Sequence, residues 1–252
     1  MRLTVKLRTA QKSICQNPQS LRKQGNCSSK RVRMQSEMPA VSRVQTDSRT
    51  RPILLFDVMD TIVKDPFYEH MPAFFDMSFK ELLTAKHPSA WMEFEKGLIC
   101  QEEFESRFFK DGRSYDREGL RRYMADNYSV IDGMDDILSR LRAKGYEMHA
   151  MSNYPVWYRL VEERCQLSRF LSWTFVSCEG PMKGLRKPDP ACFECAVREL
   201  SAQPEDLVLI DDRANNVEAA AEFGLKAVRF EGAEALEASL EALGISLRDG
   251  AA

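Results

Sequence analysis

From residue 52 onward the chain alternates short apolar runs with longer stretches in which apolar residues recur every three or four positions. The runs at 53–56, 146–151, 173–177, 207–210 and 225–230 are strand-length and predict five strands. The amphipathic stretches at 134–144, 155–166, 190–200, 214–223 and 233–243 predict the helices between them. This alternation is the signature of βαβ units, so the expected fold is α/β, a Rossmann-like, doubly wound parallel sheet. One connection breaks the rhythm: about 75 residues separate the first strand from the helix at 134, where a βα loop ordinarily takes about two to six. Helical periods of its own, Trp91, Phe94, Glu95 and Leu98 and then Phe104, Phe108 and Phe109, predict a small helical domain inserted after the first strand. The expected division is a core of 52–64 and 132–252 with a helical cap at 65–131.

Residues 1–51 read differently. They carry 12 Lys and Arg against two acids, with seven Ser and four Thr, the composition of a disordered organelle transit peptide, chloroplast or mitochondrial. The remaining 201 residues then hold 24 basic and 36 acidic side chains. A body so acidic repels nucleic acid, and no apolar run approaches the roughly 20 residues of a membrane helix; neither partner is expected. Cys192 and Cys195 have CxxC spacing, but they sit in a predicted helix without a second such pair, so buried or free thiols are expected rather than zinc.

Open α/β sheets bind ligands at the carboxyl ends of their strands. Asp57 follows the first predicted strand, Ser152 and Asn153 the second, Lys187 lies in the loop after the third, and Asp211 and Asp212 follow the fourth. Carboxylates from two strands make a hard oxygen site suited to Mg²⁺, while a hydroxyl and an ammonium can hold phosphate oxygens. A carboxylate can also serve as nucleophile and form a covalent aspartyl-phosphate. The set outlines a phosphatase site for a small phosphate ester.

In order and content these motifs resemble the haloacid dehalogenase (HAD) superfamily. The resemblance implies that Asp57 is the nucleophile and a Mg²⁺ ligand, with the backbone carbonyl of Met59 and the carboxylate of Asp212 as further ligands. It implies that Ser152, Asn153 and Lys187 bind the phosphoryl group, that Lys187 also offsets the charge on Asp57, and that Asp211 and Asn216 complete or orient the metal shell.

The first motif departs from the family's DxDxT, for Met59 stands where the general acid and base would be. A thioether cannot donate a proton. Asp60 is one residue out of register and should point to the opposite side if the segment is extended. Since general acid help is worth about 10²- to 10⁴-fold, its loss implies a slow phosphatase or a silent binding protein. Dehalogenation is disfavoured, because the dehalogenases of this superfamily work without Mg²⁺ and would have no use for the Asp211–Asp212 pair.

Longer runs, PILLFDVMDTIVKDPFYE from Pro52, WMEFEKGLI from Trp91, SNYPVWY from Ser152 and IDDRANNV from Ile210, resemble one group within the superfamily, the plant chloroplast flavin mononucleotide (FMN) hydrolases. This resemblance implies Mg²⁺-dependent hydrolysis of FMN to riboflavin and phosphate in the chloroplast, with another phosphate ester, such as a sugar phosphate or a flavin-pathway intermediate, as the alternative substrate. Phe94, Tyr154, Trp157 and Tyr158 are candidates for stacking on the flavin ring, whereas Trp91 and Trp173 are expected to be packing.

Overall fold

The computed structural model describes residues 50–247; all but the last two residues of the leader read above as a transit peptide lie outside them. The chain begins with β1 (Ile53–Phe56) and β2 (Val63–Lys64), followed by α1 (His70–Phe74), α2 (Phe79–Ala85), α3 (Ala90–Glu95), α4 (Gln101–Ser106) and α5 (Arg117–Asp126). It continues through β3 (Ser129–Val130), α6 (Met134–Ala143), β4 (Met148–Ser152), α7 (Tyr158–Cys165), β5 (Ser172–Val176) and α8 (Pro190–Glu199). It closes with β6 (Leu207–Asp211), α9 (Ala214–Phe223), β7 (Lys226–Arg229) and α10 (Ala233–Ala242). The main sheet has the order β5-β4-β1-β6-β7, with every neighbouring pair parallel.

The two-residue period of a strand divides the core in two. Leu54 and Phe56 of β1 and Val208 and Ile210 of β6 face the apolar cluster supplied by α6, α7 and α10. Ile53, Leu55, Leu207 and Leu209 face the cluster of α8 and α9. All four residues of β1 are buried. At roughly 1.5–3 kcal/mol per buried side chain, this strand alone contributes about as much as a domain's whole net stability. The residue that follows it, Asp57, is therefore held at the end of a firmly anchored central strand.

Two elements start later than the sequence pattern suggests. Gly145, at φ 75°, ends α6 and lets the Tyr146 N–H bond the Leu141 carbonyl, so β4 begins at Met148 rather than at 146. After β4, the Tyr158 N–H bonds the Pro155 carbonyl at 2.9 Å and the Arg159 N–H the Val156 carbonyl at 3.1 Å, closing a tight turn, so α7 begins at Tyr158 rather than at 155.

Helices α1–α5 lie between β2 and β3, which pair antiparallel with Val63 opposite Val130. The Phe94 and Phe104 rings stack at 4.5 Å, and Trp157, just before α7, stands edge-on to both. The apolar interior of these helices is thus continuous with one face of the sheet. At Gly97, φ 64°, an added Cβ would lie 2.1 Å from the Cys178 carbonyl oxygen, so only glycine lets the chain after α3 approach the loop after β5. Cys192 and Cys195 are buried on α8, and their thiols donate to the Asp189 and Pro181 carbonyls. Among the described residues, the cluster able to hold a metal lies elsewhere.

Candidate active site

The chain leaves β1 in one direction to build β4 and β5, then returns past β1 to build β6 and β7, so its topology switches beside β1. The carboxyl ends of β1, β4 and β6 meet there. The Asp57 N–H donates to the Ile210 carbonyl at 2.8 Å, extending the β1–β6 ladder by one residue and fixing the Asp57 backbone. Lys187, fully buried, bridges two carboxylates: its Nζ lies 2.9 Å from Asp57 Oδ1 and 2.5 Å from Asp211 Oδ2. Asp211 is held from the other side by Asn216 Nδ2, at 3.0 and 3.1 Å from its two oxygens, and by the Arg213 N–H at 3.0 Å.

Asp57, Asp211 and Asp212 bring ligand atoms within 4.8 Å of one another. Three carboxylates face one ammonium, leaving a surplus of negative charge in a buried place. Burial pushes the Asp57 carboxyl up to about 7 in spite of Lys187 beside it. Burial, and then Asp211, raises Asp212 as well. Burial alone would lower the Lys187 ammonium, but the Asp57 and Asp211 carboxylates hold it above its ordinary value.

Two buried polar atoms here have no hydrogen-bond partner, Asp212 Oδ1 and Ser152 Oγ. Each such atom costs about 1–3 kcal/mol if left so, and therefore calls for a water, an ion or a ligand as its partner. An unsatisfied carboxylate oxygen within an all-oxygen donor set suits a hard divalent cation such as Mg²⁺. An unsatisfied hydroxyl suits an acceptor oxygen, as on a phosphate.

Of the residues selected from sequence, the structure brings Asp57, Ser152, Lys187, Asp211, Asp212 and Asn216 to this one place. Met59 is buried and, with Asp57, lines a cavity of about 260 Å³ above it. Asn153 also lines the cavity, and its side chain braces the Lys187 backbone. Its Oδ1 accepts from the Lys187 N–H and its Nδ2 donates to the Lys187 carbonyl, both at 2.9 Å. The two bonds hold the lysine's backbone across the crevice, while Nδ2 keeps a second N–H for a ligand. Asn153→Ala is expected to cost about 1–3 kcal/mol in urea unfolding and, by releasing Lys187, at least about tenfold in kcat.

Asp60 stays out of the crevice, though not for the reason an extended strand would give. The chain has already turned, with Asp60 at φ 58°, and its Oδ1 accepts the Asp65 N–H at 3.0 Å. The aromatic assignments need more correction. Phe94 and Trp157 are about 1% exposed and fill the core, and Tyr158 packs against Trp173 at 4.9 Å, so of the four rings chosen Tyr154 alone lines the cavity. Trp91, expected to be packing, lines it too, as do Phe67 and Tyr68. So do Lys86, Glu95, Arg186 and Arg213, none of which was selected as a site residue from the sequence. Phe67 and Tyr68 fall within the DPFYE end of the first long run, and no periodicity marks them.

Residues 53–224 match the family model of the haloacid dehalogenase-like hydrolases. The chain belongs to that family. This hydrolase is 51% identical, over 79% of its length and 80% of the relative's, to flavin mononucleotide hydrolase 1, chloroplastic, of Arabidopsis thaliana. Its fold is shared with a HAD family enzyme of Bacteroides thetaiotaomicron solved as a magnesium complex, with a TM-score of 0.60 and 20% identity over 72% of this chain and 94% of that one. The same bacterial enzyme solved with magnesium and inorganic phosphate superposes with a TM-score of 0.55, at 20% identity over 72% of this chain and 95% of that one.

Proposed function

We propose that this hydrolase is a Mg²⁺-dependent phosphatase that converts FMN to riboflavin and phosphate through an aspartyl-phosphate on Asp57. The observation that carries the phosphatase reading is the pair of unpartnered buried atoms, Ser152 Oγ and Asp212 Oδ1, beside the Asp57–Lys187 ion pair. The choice of FMN is supported by the Arabidopsis relative and by a cavity whose lining includes Phe67, Tyr68, Trp91 and Tyr154.

In this reading the Asp57 carboxylate attacks phosphorus and expels the 5′-oxygen of riboflavin, and water then releases phosphate. Asp57, Asp212 and the Met59 carbonyl hold Mg²⁺, with Asp211 kept in orientation by Asn216. The ion, when bound, draws charge off the phosphoryl oxygens. Lys187 favours the ionised form of Asp57 against burial and offers a proton-rich head to the same oxygens, and Ser152 Oγ donates a further hydrogen bond. Residues 65–131 act as a cap that shields the acyl-phosphate and contacts the leaving group. The basic, Ser-rich leader and the chloroplastic relative support action in the chloroplast.

The flavin would lie against Tyr68, whose side chain is 45% exposed at the cavity. An aromatic contact is worth about 0.5–1.5 kcal/mol, so Tyr68→Ala is expected to raise KM for FMN by roughly 2- to 13-fold and to leave kcat/KM for 4-nitrophenyl phosphate unchanged. The reading as a whole is tested by riboflavin formation from FMN, followed by chromatography with Mg²⁺ or with EDTA. Formation that requires Mg²⁺ is the expected result; none under either condition overturns the reading.

A further inference from the structure

With a thioether at Met59, nothing in the first motif can protonate the leaving oxygen. The remaining acids of the cavity decide what can. Its lining holds three carboxyls, Asp57, Asp65 and Glu95. Asp57 is the proposed nucleophile and is paired with Lys187. Burial raises the Glu95 carboxyl as well, but it lies 2.7 Å from Arg186 Nε, so it is already engaged in an ion pair. Asp65 alone of the three has no cation bonded to it among the described residues, and its one hydrogen bond is from the Phe67 N–H to Oδ1 at 3.0 Å.

Its backbone is held in place. The Asp65 N–H is anchored on Asp60 Oδ1 at 3.0 Å, so the out-of-register acid of the first motif serves as a brace for the acid eight residues after Asp57. We infer that Asp65 is the general acid and base of this enzyme, in place of the residue that Met59 has displaced, an inference that rests on the phosphatase reading above. Burial raises the Asp65 carboxyl to about 6, which keeps part of it protonated near neutral pH.

The proton accounting closes on the two half-reactions. As the bond between phosphorus and the ester oxygen breaks, the Asp65 proton passes to that oxygen, leaving the free alcohol, the Asp65 carboxylate and phosphoryl-Asp57. Water then bonds to phosphorus and gives a proton to Asp65. The bond to Asp57 breaks, and phosphate, the Asp57 carboxylate and protonated Asp65 result.

A general acid matters in proportion to the basicity of the leaving group. The test is therefore kcat/KM, which reports the first half-reaction, for 4-nitrophenyl, phenyl and 4-methoxyphenyl phosphates, measured on the full chain and on Asp65→Asn, which keeps an acceptor for the Phe67 N–H. In Asp65→Asn the 4-nitrophenyl ester is expected to lose less than about 5-fold and the phenyl and 4-methoxyphenyl esters about 10²-fold. Plotted against leaving-group pKa, the rates of the variant then fall much more steeply than those of the wild type. Partial unfolding lowers all three rates alike and leaves the slope unchanged, and Asp65→Ala, which lacks the acceptor, is expected to give the same steep slope. Parallel losses on all three esters overturn the assignment of Asp65 alone. Failure of the wild type to cleave any of them overturns the phosphatase reading and this inference with it.

Discussion

Asp57→Asn is expected to lower phosphate release by about 10⁴-fold or more and to leave the protein folded. The amide cannot form the acyl-phosphate, yet it matches the carboxylate in shape and can still accept from Lys187 Nζ. Stability should move in a definite direction. The Asp57 carboxyl is raised from 3.8 to about 7 by burial, so in the folded state it holds a proton that the unfolded chain gives up. As pH rises from about 4 to 7 this group costs stability progressively, and above 7 the cost is fully present. The neutral variant escapes that cost. Without Mg²⁺ at pH 8 its Tm should be no lower than that of the wild type, and any difference should vanish near pH 4. Thermal unfolding at the two pH values checks this, and acid quenching during turnover of labelled substrate should trap base-labile phosphate on the wild type and none on Asp57→Asn.

Lys187→Met is the second large effect, and it should act on both activity and stability. Asp57 and Asp211 share this one buried ammonium. Removing one partner of a buried ion pair costs about 3–5 kcal/mol, because the remaining charge is left without compensation. Without the ammonium that opposes burial, the Asp57 carboxylate becomes harder to ionise, so the deficit is fully present at high pH and shrinks as pH falls and it takes up a proton. Urea unfolding at pH 8 and pH 5 should show a gap from wild type that is largest at pH 8. Added Mg²⁺ should narrow it, since the cation supplies the missing positive charge. A uniform loss at both pH values would mean that Lys187 stabilises by packing rather than by charge.

The parallel sheet was legible because its strands are short apolar runs bounded by helical periods. That order fixes which residues follow each strand, and so which residues can meet at the switch beside β1. Asp57, Ser152, Asp211 and Asp212 could be placed in this way, since each ends or directly follows a strand. What lies beyond the strand ends was harder. Asn153 clamps a backbone 34 residues further along the chain, a partnership that no local pattern encodes. Trp91 and Phe94 sit three residues apart on α3, yet one lines the cavity and the other fills the core. A helical period marks a face as apolar without saying whether that face meets the core or a substrate. Phe67 and Tyr68 precede α1 in irregular chain, where periodicity carries no information. Asp60 sits at φ 58° in a turn its own N–H closes on the Val63 carbonyl at 2.7 Å, and its side chain turns to the Asp65 N–H, a pairing that periodicity does not mark.

The most direct measurement is kcat/KM for FMN against ribose 5-phosphate and glycerol 3-phosphate, read as phosphate release by the purified full chain with Mg²⁺, with EDTA, and with Asp57→Asn as the blank. The expected result is release from FMN that exceeds release from the other two esters and disappears both in EDTA and in Asp57→Asn. Release from FMN that persists in Asp57→Asn, or a preference for either of the other esters, would contradict the proposed activity.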